Sequence, residues 1–315
     1  WVVSNMAKMA TREAYGKALA KLIVEDDKIF VLDADLSKST KTADAKTANA
    51  SRHFNMGIAE CNMMGVAAGI ATGGNTVFAS SFAMFAAGRA FEIVRNSICY
   101  PKLNVKICAT HAGITLGEDG ASHQAIEDIA LMRSIPNMTV IQPCDDIETM
   151  QAIAAIAKYK GPVYVRLGRN AVETANEEDY VFEIGKGVVL RKGVKIAVIA
   201  TGILVQEALK AADILKEEGI LVTVVNIHTI KPIDKKLLIE LAKTHDVLLT
   251  CEEHNVLGGM GSAVAEVVSQ HHPIKISMLG IEDTFGESGT PAALMEKYGI
   301  TYKHVLDRIR KLLAE

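Results

Sequence analysis

The sequence predicts an α/β protein of two parallel-sheet domains in tandem, and three observations carry that expectation. The chain has 315 residues, enough for roughly two domains of about 150 residues each. Short β-branched runs alternate with helix-length stretches in both halves, the pattern of parallel α/β architecture. Between the halves, Glu173 to Asp179 turns acidic and polar, and Gly185, Gly187 and Gly193 punctuate a short connector. These signals divide the chain into residues 6–180 and 190–315, with Trp1 to Asn5 reading as an expression remnant ahead of Met6.

In the first half, Ile29 to Leu32, Thr76 to Ala79, Val105 to Ala109, Thr139 to Gln142 and Val163 to Leu167 are short and rich in β-branched and aromatic residues, and are expected as buried strands. Helices are expected between them at Thr11 to Val24, Ala59 to Thr72, Ala83 to Ser97 and Asp146 to Lys158. The second half repeats the pattern, with strands near Ile196 to Ala200, Leu221 to Asn226, Val247 to Cys251 and Ile274 to Met278. Its helices are expected at Leu204 to Lys216, Lys235 to Lys243, Ser262 to Gln270 and Tyr302 to Leu313. No internal repeat of 20 to 50 residues marks a solenoid.

Composition narrows the function. A net charge of −3 with no long Lys/Arg block argues against a nucleic-acid partner or an anionic membrane surface, leaving small molecules and protein. No apolar stretch approaches the roughly 20 residues that span a bilayer, and no leader with a cleavage site opens the chain, so the cytoplasm is expected. The five cysteines form no C-x-x-C pair, which fits reduced, buried thiols.

Four segments carry chemistry. His111 to Gln124, H-A-G-I-T-L-G-E-D-G-A-S-H-Q, places two histidines and two acids in a Gly-rich stretch after a strand ending at Thr110, where ligand loops of parallel sheets lie. Phe54 to Glu60 feeds a strand-like run into a helix with an acid in its first turn, a position that helix electrostatics alone favours. Ser81 to Phe85 opens a helix with Phe82 and Phe85 on one face, a spacing that core packing also explains. Ala34 to Ser39 at a strand end, with Arg166 and Arg169 after Gly161-Pro162, offers anion-binding groups. In the second half, Glu252 to Gly261 is a Gly-rich strand-to-helix turn without a phosphate-binding signature, and is expected to be structural.

The first segment resembles the L-G-E-D-G-x-x-H-Q signature of transketolases, and the resemblance extends over nearly all of residues 10–315. It implies a pyrimidine-binding domain followed by a transketolase C-terminal domain that builds a dimer. It further implies that Glu60 bonds the pyrimidine ring of thiamine diphosphate, that Phe85, with Phe82 beside it, stacks on that ring, and that Asp35 lies near the thiazolium side. His111, Asp119 and His123 are implied to contact the sugar, with His111 and His123 transferring protons, and Ser39 and Arg169 to hold its phosphate. Arg166 resembles the arrangement in deoxyxylulose-phosphate synthases. The chain departs from the family pattern at Ala112, where Asp is common, and at Gly88, where a third aromatic is usual.

The chain contains no G-D-G motif, the element with which this family anchors the cofactor's diphosphate through a divalent metal. The resemblance therefore implies a subunit of a split transketolase of the pentose phosphate pathway: two copies of this chain, two of an N-terminal subunit carrying G-D-G, and Mg2+ or Ca2+ bound by the latter. A beta subunit of a two-oxoacid dehydrogenase shares the two-domain plan and the glutamate. It has no evident need for Asp119, His123 and a phosphate arginine together. A non-catalytic dimerisation module predicts decay of Glu60 and the histidines, which are all present.

Overall fold

Buried apolar runs set the strands. The structure, a computed structural model, describes residues 8–315, so Trp1 to Ala7, including the stretch ahead of Met6, lie outside the described residues. In chain order the strands are β1 (Lys8–Ala10), β2 (Ile29–Asp33), β3 (His53–Asn55), β4 (Thr76–Phe82), β5 (Val105–Thr110), β6 (Thr139–Ile141) and β7 (Val163–Arg166). There follow β8 (Ala171–Glu173), β9 (Val188–Arg191), β10 (Ile196–Ala200), β11 (Thr223–Asn226), β12 (Thr229–Lys231), β13 (Val247–Asn255) and β14 (Lys275–Ile281). Every residue of β4, β5 and β10 is buried, as parallel strands covered by helices on both faces require.

Two sheets result. A seven-stranded sheet has the order β12-β6-β7-β5-β4-β2-β3, and a five-stranded sheet the order β14-β13-β10-β11-β9. Both are parallel except at one edge, where β12 runs antiparallel to β6 and β9 antiparallel to β11. The expected fold class therefore holds. The sheets are not sealed off by sequence position, because Thr229–Lys231, from the second half of the chain, closes the edge of the first sheet. One apolar cluster likewise runs from Leu32, Val77 and Ile107 to Ile199, Leu248 and Val264, crossing the junction.

The long elements lie where periodicity predicts them, and the differences are local. Helices Thr11–Glu25, Glu60–Thr72, Asp146–Lys158, Leu204–Glu217 and Tyr302–Ala314 match expectation within a residue or so. The expected helix from Ala83 to Ser97 is instead two π-helical segments, Met84–Arg89 and Val94–Cys99, joined by Phe91–Ile93. The short helices Ser37–Thr40, Thr42–Ala48, Asp128–Ser134 and Pro291–Lys297 are additions that short polar or Gly-flanked sequences do not announce.

Buried polar groups join the two halves. Asp145 caps the helix Asp146–Lys158, accepting from Glu148 N at 2.8 Å, while its other oxygen accepts from Ala175 N and Asn176 N in the connector, each at 2.8 Å. Glu148, fully buried, accepts from Tyr180 Oη at 2.7 Å, Cys144 N at 2.8 Å and Asn226 Nδ2 of β11 at 2.9 Å. Burial pushes its carboxyl up from 4.5 to about 7, against the lowering effect of those donors.

Because the folded state holds the Glu148 proton more tightly than the unfolded chain does, this group's contribution is present below about pH 4.5 and is lost as pH rises through about 7. Glu148→Gln keeps most of the hydrogen bonds without the titration. Urea unfolding of this variant across that window is expected to lose part of the wild type's pH dependence; identical slopes for the two proteins would show that Glu148 does not titrate there.

Candidate active site

The strands β2, β3, β4 and β5 lie together in one sheet, and their carboxyl ends deliver the site, as parallel sheets do. At the end of β2, Asp35 adopts φ 61°. Asn55, ending β3, holds it reciprocally: Asn55 Nδ2 donates to Asp35 Oδ1 at 2.8 Å and Asp35 N donates to Asn55 Oδ1 at 3.0 Å. Gly57 N donates to the same Asn55 oxygen at 2.9 Å. The Asp35 carboxylate is thereby fixed yet exposed.

Glu60 opens the helix Glu60–Thr72 and is 2% exposed. Its Oε2 accepts from Arg89 Nη1 at 2.8 Å, and the Arg89 guanidinium lies over the Phe85 ring at 4.8 Å. Phe82, the last residue of β4, stacks with Phe85 at 6.4 Å and 19°. His111 stacks on Phe82 at 4.0 Å, and His123 meets the Phe85 ring nearly edge-on at 5.2 Å. Two aromatic rings and two imidazoles from distant segments therefore form one cluster, with the Glu60 carboxylate linked to it through Arg89. At Gly88, where a third aromatic is usual in the family, a Cβ would stand 2.5 Å from Met84 Cε, so a larger residue there requires the Met84 side chain to move.

His111 has φ 59° and is 3% exposed. Arg12 Nη1 lies 3.3 Å from its Nε2 and Thr110 Oγ1 2.8 Å from its Nδ1. Arginine only donates, so Nε2 accepts and the proton sits on Nδ1, donated to Thr110. Burial first, then the charges of Arg12 and Arg169, pushes this imidazole down to about 3, so it is neutral at physiological pH. His123 is half-buried, with Nδ1 2.9 Å from Ser122 Oγ.

Arg12 is the group that sequence reading missed. Pairing of β1 with β8, Ala10 opposite Ala171, sets the start of the helix Thr11–Glu25 beside the segment after β7. Arg12 then donates to the Ser39 carbonyl at 2.9 Å and to the Arg169 carbonyl at 3.2 Å. Arg169 Nη1 donates to Glu118 Oε2 at 2.9 Å. Arg12, Ser39 and Arg169 thus meet beside His111, while Asp119 stands on the exposed turn next to Glu118. The only sequence signal for Arg12 is an arginine in a helix's first turn, which is common in proteins.

Arg166 lies elsewhere. It is 2% exposed; Nε donates to Asp128 Oδ2 at 2.8 Å, and Nη2 donates to the carbonyls of Ala125 and Glu253, each at 3.0 Å. Buried and tied to these partners at Nε and Nη2, it is not placed to reach a sugar phosphate, so the expected substrate contact is corrected to a role in holding the loop. Ala112, also buried, pairs with Ala125 at the base of that loop. Gly113 is required there: its φ is 81°, and a Cβ would stand 2.2 Å from the Glu253 carboxyl carbon. Beneath the loop a cavity of about 20 Å³, lined by Thr115, Gln142, Arg166 and Glu253 among others, has room for about one water.

The Gly-rich turn of the second half is structural, as expected. Glu252 accepts from Met260 N at 2.7 Å and Gly261 N at 2.8 Å, so its own carboxylate fills the helix start where a phosphate would bind. Among the described residues, no three His, Cys, Asp or Glu side chains gather as a metal site.

Comparison with known proteins shows the family. Residues 7–174 match the transketolase pyrimidine-binding domain and residues 185–305 the transketolase C-terminal domain. A protein named as a transketolase C-terminal section from Methanocaldococcus jannaschii is 52% identical, the match covering 95% of this chain and 94% of that protein. Rat transketolase is 38% identical, but this chain spans only 50% of its length. A solved structure described as a split gene transketolase, inactive beta4 tetramer, superposes with TM-score 0.91 at 56% identity, covering 97% of this chain and 99% of that one.

The Arg166–Asp128 pair should be costly to break and cheap to replace. Arg166→Met leaves a buried carboxylate unpaired and is expected to destabilise by about 3–5 kcal/mol in urea unfolding. Combining it with Asp128→Asn, which still accepts from Tyr164 Oη, should recover most of that loss. A single variant as stable as the wild type would show the pair to be incidental.

Proposed function

The chain belongs to the transketolase family, and from that premise we propose that it is the cofactor-activating, substrate-recognising subunit of a split transketolase. Its reaction moves a two-carbon ketol group from a ketose phosphate to an aldose phosphate. The pyrimidine-binding domain spans residues 6–180 and the C-terminal domain 190–315, with Thr229–Lys231 crossing back to the first sheet. The observation that carries the reading is the convergence of Glu60, Phe82, Phe85, His111 and His123, with Arg12 and Arg169 beside His111.

The residues fit thiamine diphosphate on chemical grounds. A buried carboxylate at a helix start, joined through Arg89 to one of two near-parallel rings, provides an anionic acceptor and a stacking surface suited to an aminopyrimidine. Thiamine diphosphate, when bound, supplies the carbon nucleophile of ketol transfer. Glu60 would accept from the protonated pyrimidine ring nitrogen, and Phe85, backed by Phe82, would orient the ring. Asp35, clamped by Asn55, would serve the thiazolium side. Neutral His111 would hydrogen-bond the substrate by exchanging the Arg12 contact at Nε2 for a substrate hydroxyl, and His123 would exchange protons with the substrate's oxygens. Asp119 reads a sugar hydroxyl. Arg12, Ser39 and Arg169 hold the sugar phosphate, Arg169 exchanging its exposed Glu118 partner for it.

The absence of G-D-G from the sequence supports placing the diphosphate and its Mg2+ or Ca2+ on an N-terminal partner subunit, in an assembly of two copies of each chain. The split-gene relative, described as inactive when four beta chains assemble alone, is consistent with that requirement.

One experiment tests the substrate and cofactor halves together, in enzyme assembled with its partner. Glu60→Gln is expected to remove most turnover while leaving thermal unfolding unchanged. Arg169→Ala should lower kcat/KM for phosphorylated donors by about 10- to 100-fold, the cost of a charge-assisted phosphate contact, with little effect on unphosphorylated donors. Equal losses on both donors would place Arg169 outside the phosphate site, and full activity of Glu60→Gln would remove the basis of the cofactor assignment.

A further inference from the structure

Arg89 bridges the two side chains assigned to the pyrimidine without itself belonging to any expected motif. Its Nη1 donates to Glu60 Oε2 at 2.8 Å, and its guanidinium lies 4.8 Å from the centre of the Phe85 ring. The π-helical segment Met84–Arg89 carries both Phe85 and Arg89, so one turn delivers the aromatic ring and the cation that covers it. Among the described residues no donor reaches the other carboxylate oxygen, Glu60 Oε1. The Arg89 side chain is itself 51% exposed, whereas that of Glu60 is 2% exposed. Glu60 thus has one oxygen tied to an arginine and, among the described residues, one left without a donor.

We propose that Arg89 is a positioning residue for cofactor activation: by holding Glu60 Oε2 through a guanidinium that rests over the Phe85 ring, it leaves Oε1 for the ring nitrogen of a bound aminopyrimidine. The inference rests on the assignment of Glu60 to that pyrimidine. A planar guanidinium suits the task because it donates within its plane while its face lies on an aromatic ring. Lysine matches the charge and not the plane. The alternative, that Arg89 only fills the space of an absent ligand and must leave before it binds, predicts the opposite effect on affinity.

The test uses enzyme assembled with its partner subunit and Mg2+. Calorimetry measures the dissociation constants of thiamine diphosphate and of an analogue whose pyrimidine ring nitrogen is replaced by carbon, for wild type, Arg89→Lys and Arg89→Met. Positioning predicts that Arg89→Met weakens thiamine diphosphate about fivefold or more, that Arg89→Lys falls between it and wild type, and that all three bind the analogue alike, since it offers nothing to Glu60. Equal losses for both ligands would make Arg89 merely structural. Unchanged or tighter binding of thiamine diphosphate by Arg89→Met would overturn the inference in favour of a displaced space-filler. If wild type fails to distinguish the two ligands, the assignment of Glu60 itself falls, and this inference with it.

Discussion

The buried ion pair between Arg166 and Asp128 is the constraint on which the candidate site rests. It joins the end of a central strand to the start of the helix Asp128–Ser134, with Tyr164 Oη donating to the same carboxylate at 2.7 Å. The loop from His111 to Glu127 runs from the end of β5, the neighbour of that strand, to the start of this helix. The second guanidinium nitrogen reaches across to the Glu253 carbonyl, while the Glu253 carboxylate accepts from Thr115 N at 2.6 Å inside the loop. The second domain therefore helps to shape a loop belonging to the first. Buried pairs of this kind add little stability over apolar packing; what this one supplies is a fixed geometry for a segment that is otherwise glycines and polar residues.

Much of the fold was legible because its long elements are strongly patterned. The helix Asp146–Lys158 and the strand Ile196–Ala200 lie where periodicity puts them. The short strands were not legible, because three residues such as Thr229–Lys231 carry no period and their pairing with β6 depends on a partner almost 90 positions away. The π-helical stretch after Phe82 escaped for a different reason. Its residues suit an α-helix, and the wider turn is a product of packing rather than of local preference.

The site divides in the same manner. Glu60, His111, His123, Phe82 and Phe85 stood out because they sit in dense segments, and the fold draws those segments together. Arg12 and Arg89 did not, since each is a single arginine whose meaning appears only when a strand pairing or a helical turn delivers it to an acid, a ring or an imidazole. Arg166 shows the converse. Directly before Leu167-Gly168-Arg169, it was an anion-binding candidate beside the favoured Arg169, but the alternation of a strand turns it inward toward Asp128 while Arg169 emerges beyond the strand end. Likeness of residue type could not separate the two arginines, whereas burial does.

On the proposed reading the chain holds half of an active site, an acid, two rings, two imidazoles and a pair of arginines, with the diphosphate and metal on a second polypeptide. The most direct measurement of that division is a titration of this chain, at fixed concentration, with an N-terminal subunit carrying G-D-G, in the presence of thiamine diphosphate and Mg2+, following ketol transfer between sugar phosphates. Turnover is expected to be absent from either chain alone and to rise to a plateau at one partner per copy of this chain. Sustained turnover by this chain alone, purified free of any companion, would contradict the division.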